Sequence, residues 1–324
     1  MILIPFGVMY IHTKEIHLAK ERNEMLDTRF GIEVEFTGIT RRKAAEAVEK
    51  VLGGSVEHVG TVYDTYKVHA LDGRDWKVMR DASLACEKKV GGAVRCASDL
   101  YSCELVTPVL KYSEDIEKLQ EVIRAIRKAG GFTNSTCGIH IHLDGANHTV
   151  RSIRNFLNIV YARQDLVYRA LNFKIERMRY CGKIETGFMK RLQARNPNTM
   201  KELEDVWYEG YYESRERHYH SSRYHFINLH SFFHGHHTVE LRGFNSTLHA
   251  GEVRSYIVFA LALNDMALSQ KNASTKKPQI ENEKFAMRTW LNRMGLVGDE
   301  FKACREHLTK NLSGSSAWRY GRTA

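Results

Sequence analysis

Three short segments set ionisable residues two apart around an apolar one: Glu33-Val34-Glu35, His140-Ile141-His142 and Glu240-Leu241-Arg242. In a β-strand, residues two apart point to the same face. Each segment would therefore aim two charged or ligating groups at one surface and send Val34, Ile141 or Leu241 into a core. Three such strands side by side would line a sheet with metal ligands and one guanidinium. Groups of that kind are costly to enclose without a partner, so a charged ligand is expected at that face.

The rest of the chain bounds what the ligand can be. Hydrophobic residues are 43% of the 324 and charged residues 27%, a globular composition and not a disordered one. The length allows one large domain or two small ones. We read one catalytic unit over 1–324, with a Tyr/Arg-rich insert at 172–222 and a C-terminal helical segment at 278–312. The apolar run Met1 to Tyr10 is too short to span a bilayer and lacks signal-peptide features, so a buried first strand or an ordered arm is expected there, and no membrane partner. The six cysteines form no C-x-x-C pair and read as reduced thiols of a cytoplasmic protein. The formal net charge of +10 favours anionic partners: nucleoside triphosphates, nucleic acid or an acidic substrate. Much of it is C-terminal, with eleven Lys/Arg against five Asp/Glu from Lys271 to Ala324.

Periodicity predicts strands at Phe30 to Gly38, Val56 to His69, Trp76 to Ser83, Ser102 to Pro108 and Thr136 to Leu143. Two more, Phe226 to Phe232 and His237 to Phe244, are expected as a hairpin about His234-Gly235. Helices are expected from a Thr40 cap to Leu52, from a Ser113 cap to Gly130, at Thr149 to Leu171, at Ala250 to Ser269, around Trp290, and from Asp299 to about Asn311. Asn172 to Ser222 reads as short helices and loops, a candidate lid or substrate-contact insert. Hairpin signals without strict β-α alternation predict an α+β fold with a mostly antiparallel sheet.

Glu33 and Glu35 on one strand face repel each other, and a divalent cation removes that penalty. Mg²⁺ prefers oxygen ligands and keeps several waters, which suits a site shared with phosphates. The ordinary alternative is an exposed strand face, but Phe30-Gly31-Ile32 and Val34-Phe36 read as a central strand. His140 and His142 are two ligands, or one ligand and one substrate hydrogen-bonding group; the plain alternative is a satisfied polar pair. Glu240 and Arg242 pair with each other or, in a nucleotide site, bind metal and phosphate oxygens respectively. Asn245, Thr247 and Arg80 are further candidates for the nucleotide, and Asp81, Ser83 and Glu104 extend the polar set. There is no P-loop, no dinucleotide fingerprint and no G-x-S-x-G elbow.

Gly31-Ile32-Glu33-Val34-Glu35-Phe36, Asp81-Ala82-Ser83-Leu84, Glu104-Leu105-Val106-Thr107-Pro108, Cys137-Gly138-Ile139-His140-Ile141-His142-Leu143-Asp144 and Thr238-Val239-Glu240-Leu241-Arg242-Gly243-Phe244 resemble, in order, the motifs of the amidoligase family. That family is similar to glutamine synthetase and glutamate–cysteine ligase. One departure is Ala82, where Gly is usual. The resemblance implies a curved, mostly antiparallel sheet flanked by helices, like the glutamine synthetase catalytic domain, with a funnel-like site for ATP and Mg²⁺. It implies that ATP phosphorylates a carboxylate and that an amine displaces the phosphate, giving an amide or peptide bond. By position, Glu35 and Glu104, with Asp81 nearby, would hold one metal. Glu33, one of His140 or His142, and Glu240 would hold another, and Arg242 would neutralise the transferring phosphoryl. The catalytic set is then Arg242, Glu240 and His142. The partners would be a small-molecule amine and a carboxylate on an amino acid, peptide or protein terminus.

Two other classes compete. A nucleic-acid-binding protein would use its basic surface, with steep salt dependence that survives Glu33→Ala. A metal-dependent hydrolase would use the same strands without consuming ATP.

Overall fold

The computed structural model describes residues 24–319. The expected Met1 to Tyr10 element lies outside them. Ten strands are described: β1 (Phe30–Phe36), β2 (Ser55–His58), β3 (Tyr66–His69), β4 (Asp75–Met79), β5 (Glu87–Val90), β6 (Ala93–Cys96), β7 (Cys103–Val106), β8 (Gly138–Asp144), β9 (Ile227–Asn228) and β10 (Thr238–Asn245). Eight of them form one sheet in the order β2-β3-β4-β7-β1-β8-β10-β9, every pairing antiparallel. β5 and β6 form a separate hairpin. The fold is α+β, as expected.

The three paired-residue segments fall on β1, β8 and β10, which are adjacent, with β7 on the far side of β1. Ile32, Val34, Phe36, Cys103, Leu105, Ile139, Ile141, Leu143, Val239, Leu241 and Phe244 point to one face and are fully buried. Burying each larger apolar side chain contributes about 1.5–3 kcal/mol, which fixes the register and with it the face that the polar residues occupy. The apolar stripes of α1 (Arg41–Leu52), α2 (Tyr112–Lys128), α3 (Val150–Ala170) and α7 (Ala250–Ser269) join the same core. Thr40 caps α1, and Thr149 with Ser152 forms a capping box on α3.

The insert contains α4 (Thr186–Arg195) and α5 (Met200–Tyr208). Short α6 (His230–His234) follows β9, and α8 (Glu283–Arg293) and α9 (Lys302–Thr309) end the described chain.

Four boundaries differ from expectation. The strand expected over Val56 to His69 breaks into β2 and β3, because Asp64 adopts φ 45° and turns its carboxylate to Arg41 Nε at 2.9 Å. The strand from Trp76 ends at Met79, since the Asp81 carboxylate accepts the Ser83 N–H at 2.6 Å and forms a turn. Lys111, not Ser113, caps α2: the Asp115 carboxylate reaches back to the Lys111 N–H at 2.9 Å. The expected Phe226 to Phe232 strand shrinks to Ile227–Asn228, because Asn228 Oδ1 accepts the His230 N–H at 2.8 Å and starts α6.

Candidate functional site

On the face opposite the core, the strand register brings the polar residues into direct opposition. Glu33 lies across from His140, Glu35 from Glu104, and His142 from Glu240. His140 Nδ1 is 2.9 Å from Glu33 Oε2, and its Nε2 is 3.7 Å from Glu35 Oε1. His142 Nε2 is 3.2 Å from Glu33 Oε1, and its Nδ1 is 3.1 Å from Thr238 Oγ1. Arg242 Nη1 donates to Glu240 Oε1. Glu240 Oε1 is also 3.9 Å from each imidazole.

Two features let β10 present this set. Its register against β8 shifts by one residue between Leu241 and Phe244. That bulge leaves Glu240 and Arg242 on the polar face and returns Phe244 to the core. Gly243 is required there, because a Cβ would run into the Phe226 ring. Gly138 has a comparable role at the start of β8. Its N–H donates to Glu35 Oε2 at 2.5 Å, and its missing side chain leaves room for the Arg177 guanidinium. Arg177, from the insert, donates to the backbone carbonyls of Phe244 and Arg242 at 2.5 and 2.9 Å.

The electrostatics divide the carboxylates. Burial and the nearby Asp81 hold Glu35 up at about 8, against the opposing charges of Arg177 and Arg242 and the Gly138 N–H. Burial, then Glu33, Asp81 and Glu35, push Glu104 well above the usual carboxylate range. Burial also works against ionised Glu33 and Glu240, but there the neighbours prevail. Two imidazoles hold Glu33 well below the ordinary value, and Arg242 with both imidazoles holds Glu240 down at about 2. Burial and Arg242 pull His140 down to about 4, so it is neutral at pH 7. For His142 burial is outweighed by Glu240 and Glu33, and its value rises.

Glu35 and Glu104 face each other at close range, where without a cation both cannot readily ionise. The donor set fits a divalent cation that prefers oxygen. One group is Glu33, His140 and Glu240; the other is Glu35, Glu104 and His140; in each, one ligand atom per residue lies within 4.8 Å of the others. Arg242 Nε is buried with no hydrogen-bond partner, a donor left for an anion.

Not every expected residue joins this set. Asp81 contributes charge beside Glu35 and Glu104 while its carboxylate also holds its own turn. Asn245 is fully engaged: its amide donates to the carbonyls of Leu171 and Asn172 at 2.9 Å and accepts from the Lys174 N–H at 3.1 Å. Thr247 Oγ1 accepts the His249 N–H at the start of α7, and Arg80 Nε is 3.3 Å from Asp99. Conversely, Arg177, Asn228 and Thr238 were not foreseen. Asn228 left a signal, a polar residue set between Ile227 and Leu229.

The family model described as "Putative amidoligase enzyme" matches residues 26–264. No curated protein matches the chain. Among solved structures, the chain is similar to the crystal structure of a bifunctional glutathione synthetase from Pasteurella multocida, at 13% identity and a TM-score of 0.35. The match covers 91% of this chain and 48% of that one, so the chain spans about half that protein's length.

Proposed function

The chain belongs to the amidoligase family, and from that premise we propose an ATP- and Mg²⁺-dependent carboxylate–amine ligase. The observation that carries the proposal is the single polar face on which Glu33, Glu35, Glu104, His140, His142, Glu240 and Arg242 converge. Phosphoryl transfer needs fixed charge more than a protein nucleophile.

In this reading Glu35 and Glu104, beside Asp81, hold one Mg²⁺; Glu33, His140 and Glu240 hold a second. Neutral His140 is the imidazole suited to a metal, and His142 is the one suited to carry positive charge. Bound Mg²⁺ supplies charge neutralisation to the phosphate oxygens. Arg242, held in place by Glu240 and by the backbone that Arg177 fastens, adds a fixed cation for the transferring phosphoryl. The substrate carboxylate attacks the γ-phosphorus and ADP leaves. An amine then attacks the acyl carbon, the C–O bond to phosphate breaks, phosphate leaves with the proton that the nitrogen sheds, and an amide forms.

The test is ADP release with Mg²⁺ against pools of amino acids, polyamines and acidic peptides, followed by product mass. Arg242→Ala and Glu240→Ala should each lower the rate by about 10²–10³. Product without ATP consumption would mean a hydrolase. Steeply salt-dependent nucleic-acid binding that survives Glu33→Ala, with no ADP formed, would mean a binding protein.

A further inference from the structure

Glu240 has two oxygens with different company. Oε1 faces Arg242 and both imidazoles. Oε2 accepts Asn228 Nδ2 at 2.6 Å. Asn228 is 2% exposed, and its orientation is fixed because its Oδ1 accepts the His230 N–H at 2.8 Å. The amide must therefore present its NH₂ to Glu240.

His230 is itself pinned. Its Nδ1 is 2.6 Å from the Tyr208 hydroxyl, and its ring stacks with those of His220 and His234, centroids 5.2 and 5.9 Å away. Burial, with His220 and His234 nearby, pulls His230 down to about 4, and its Nδ1 shares one short hydrogen bond with the Tyr208 hydroxyl. Tyr208 is the last residue of α5 and belongs to the insert. A buried hydrogen-bonded chain thus runs from the insert to Glu240: Tyr208, His230, Asn228, Glu240. The same turn also serves His142, because Ser231 Oγ is 2.8 Å from Thr238 Oγ1, which bonds His142 Nδ1.

We propose that Asn228 is a positioning residue for Glu240, and that Tyr208, by holding His230, fixes the turn from which Asn228 acts. This rests on Glu240 being a metal ligand as proposed above. A carboxylate tied down at one oxygen offers the other in one direction, and partners of this kind typically set metal affinity or activity by 10- to 100-fold. Tyr208 then tunes the metal site without touching it.

The test counts Mn²⁺ bound to the full chain by electron paramagnetic resonance, without nucleotide. Wild type, Asn228→Ala, Tyr208→Phe, Glu240→Gln and the Asn228→Ala/Glu240→Gln double variant are compared, with circular dichroism as the folding control. Asn228→Ala should weaken Mn²⁺ binding by about 10- to 100-fold. Tyr208→Phe, which keeps the ring and loses one hydroxyl, should weaken it in the same direction by less. In the Glu240→Gln background, Asn228→Ala should add nothing. Wild-type affinity in Asn228→Ala, or losses that multiply in the double variant, would overturn the role of Asn228. Wild-type affinity in a folded Tyr208→Phe would overturn the role of Tyr208. A wild type that binds no Mn²⁺ would instead overturn the metal site on which both depend.

Discussion

At the scale of single residues, the carboxyl of Glu35 makes the sharpest statement about the site. Its folded value of about 8 lies above the ordinary carboxylate value of an unfolded chain. Through that window the folded state keeps a proton that the unfolded state has lost. Glu35 therefore contributes stability that is fully present below the ordinary value and is lost as pH rises toward about 8. One proton sets the slope at no more than about 1.4 kcal/mol per pH unit. On the proposed reading a bound divalent cation would replace that proton and reverse the penalty. In EDTA, thermal unfolding should show wild type losing stability relative to Glu35→Gln between pH 5.5 and 8. Mg²⁺ should stabilise wild type more at pH 8 than at pH 5.5. A parallel pH dependence in the two proteins would remove Glu35 from the account. Much of this site was legible in the sequence, because two-residue spacing around Val34, Ile141 and Leu241 admits one buried face. Asn245 and Thr247 bond backbone instead of facing the cluster, Asn245 to the distant carbonyls of Leu171 and Asn172 and Thr247 to the nearby His249 N–H. Arg177 was hidden because its partners are carbonyls far away in sequence.

At the scale of elements, strands buried on one side were legible and those interrupted by side-chain chemistry were not. Asp64, Asp81, Asp115 and Asn228 each end or begin an element through their own oxygens, by bonding nearby backbone or, for Asp64, Arg41. Hydrophobic periodicity carries no record of such bonds. The β10 bulge belongs to the same class: alternation alone would have put Phe244 on the polar face. The bulge depends on Gly243, whose missing Cβ admits the Phe226 ring against the strand. Gly243→Ala should destabilise the protein by about 1–3 kcal/mol through overpacking. It should also disturb Arg242, the neighbouring bulge residue whose N–H donates to the Phe226 carbonyl at 2.8 Å. Adding Phe226→Leu should recover part of the lost stability in a denaturant titration. No recovery would mean that the strand, and not the ring, resists the substitution.

At the scale of the whole molecule, the decisive element is α7. Residues Ser255 to Asn264 are buried without a break, so this helix has no solvent face over almost three turns. β8, α2 and α3 lie on some of its sides. Phe244 of β10 stacks on Tyr256 at 4.9 Å, and further cover comes from beyond residue 264, where the family match ends. Trp290 of α8 packs edge-on against Phe259 at 5.7 Å, and Cys304 of α9 donates to the Ser255 carbonyl at 3.6 Å. Met287, Leu291, Leu296, Phe301 and Leu308 are buried in the same layer. Removing everything after Lys277 would strip these side chains from α7. At about 1.5–3 kcal/mol for each large apolar side chain, the loss is comparable to a typical total stability of 5–15 kcal/mol. A chain ending at Lys277 should be insoluble, or should lack a cooperative thermal transition. Light scattering and circular dichroism distinguish those outcomes from a soluble, cooperatively melting fragment. Such a fragment would mean that residues 24–277 close their own core and that α8 and α9 are an accessory layer.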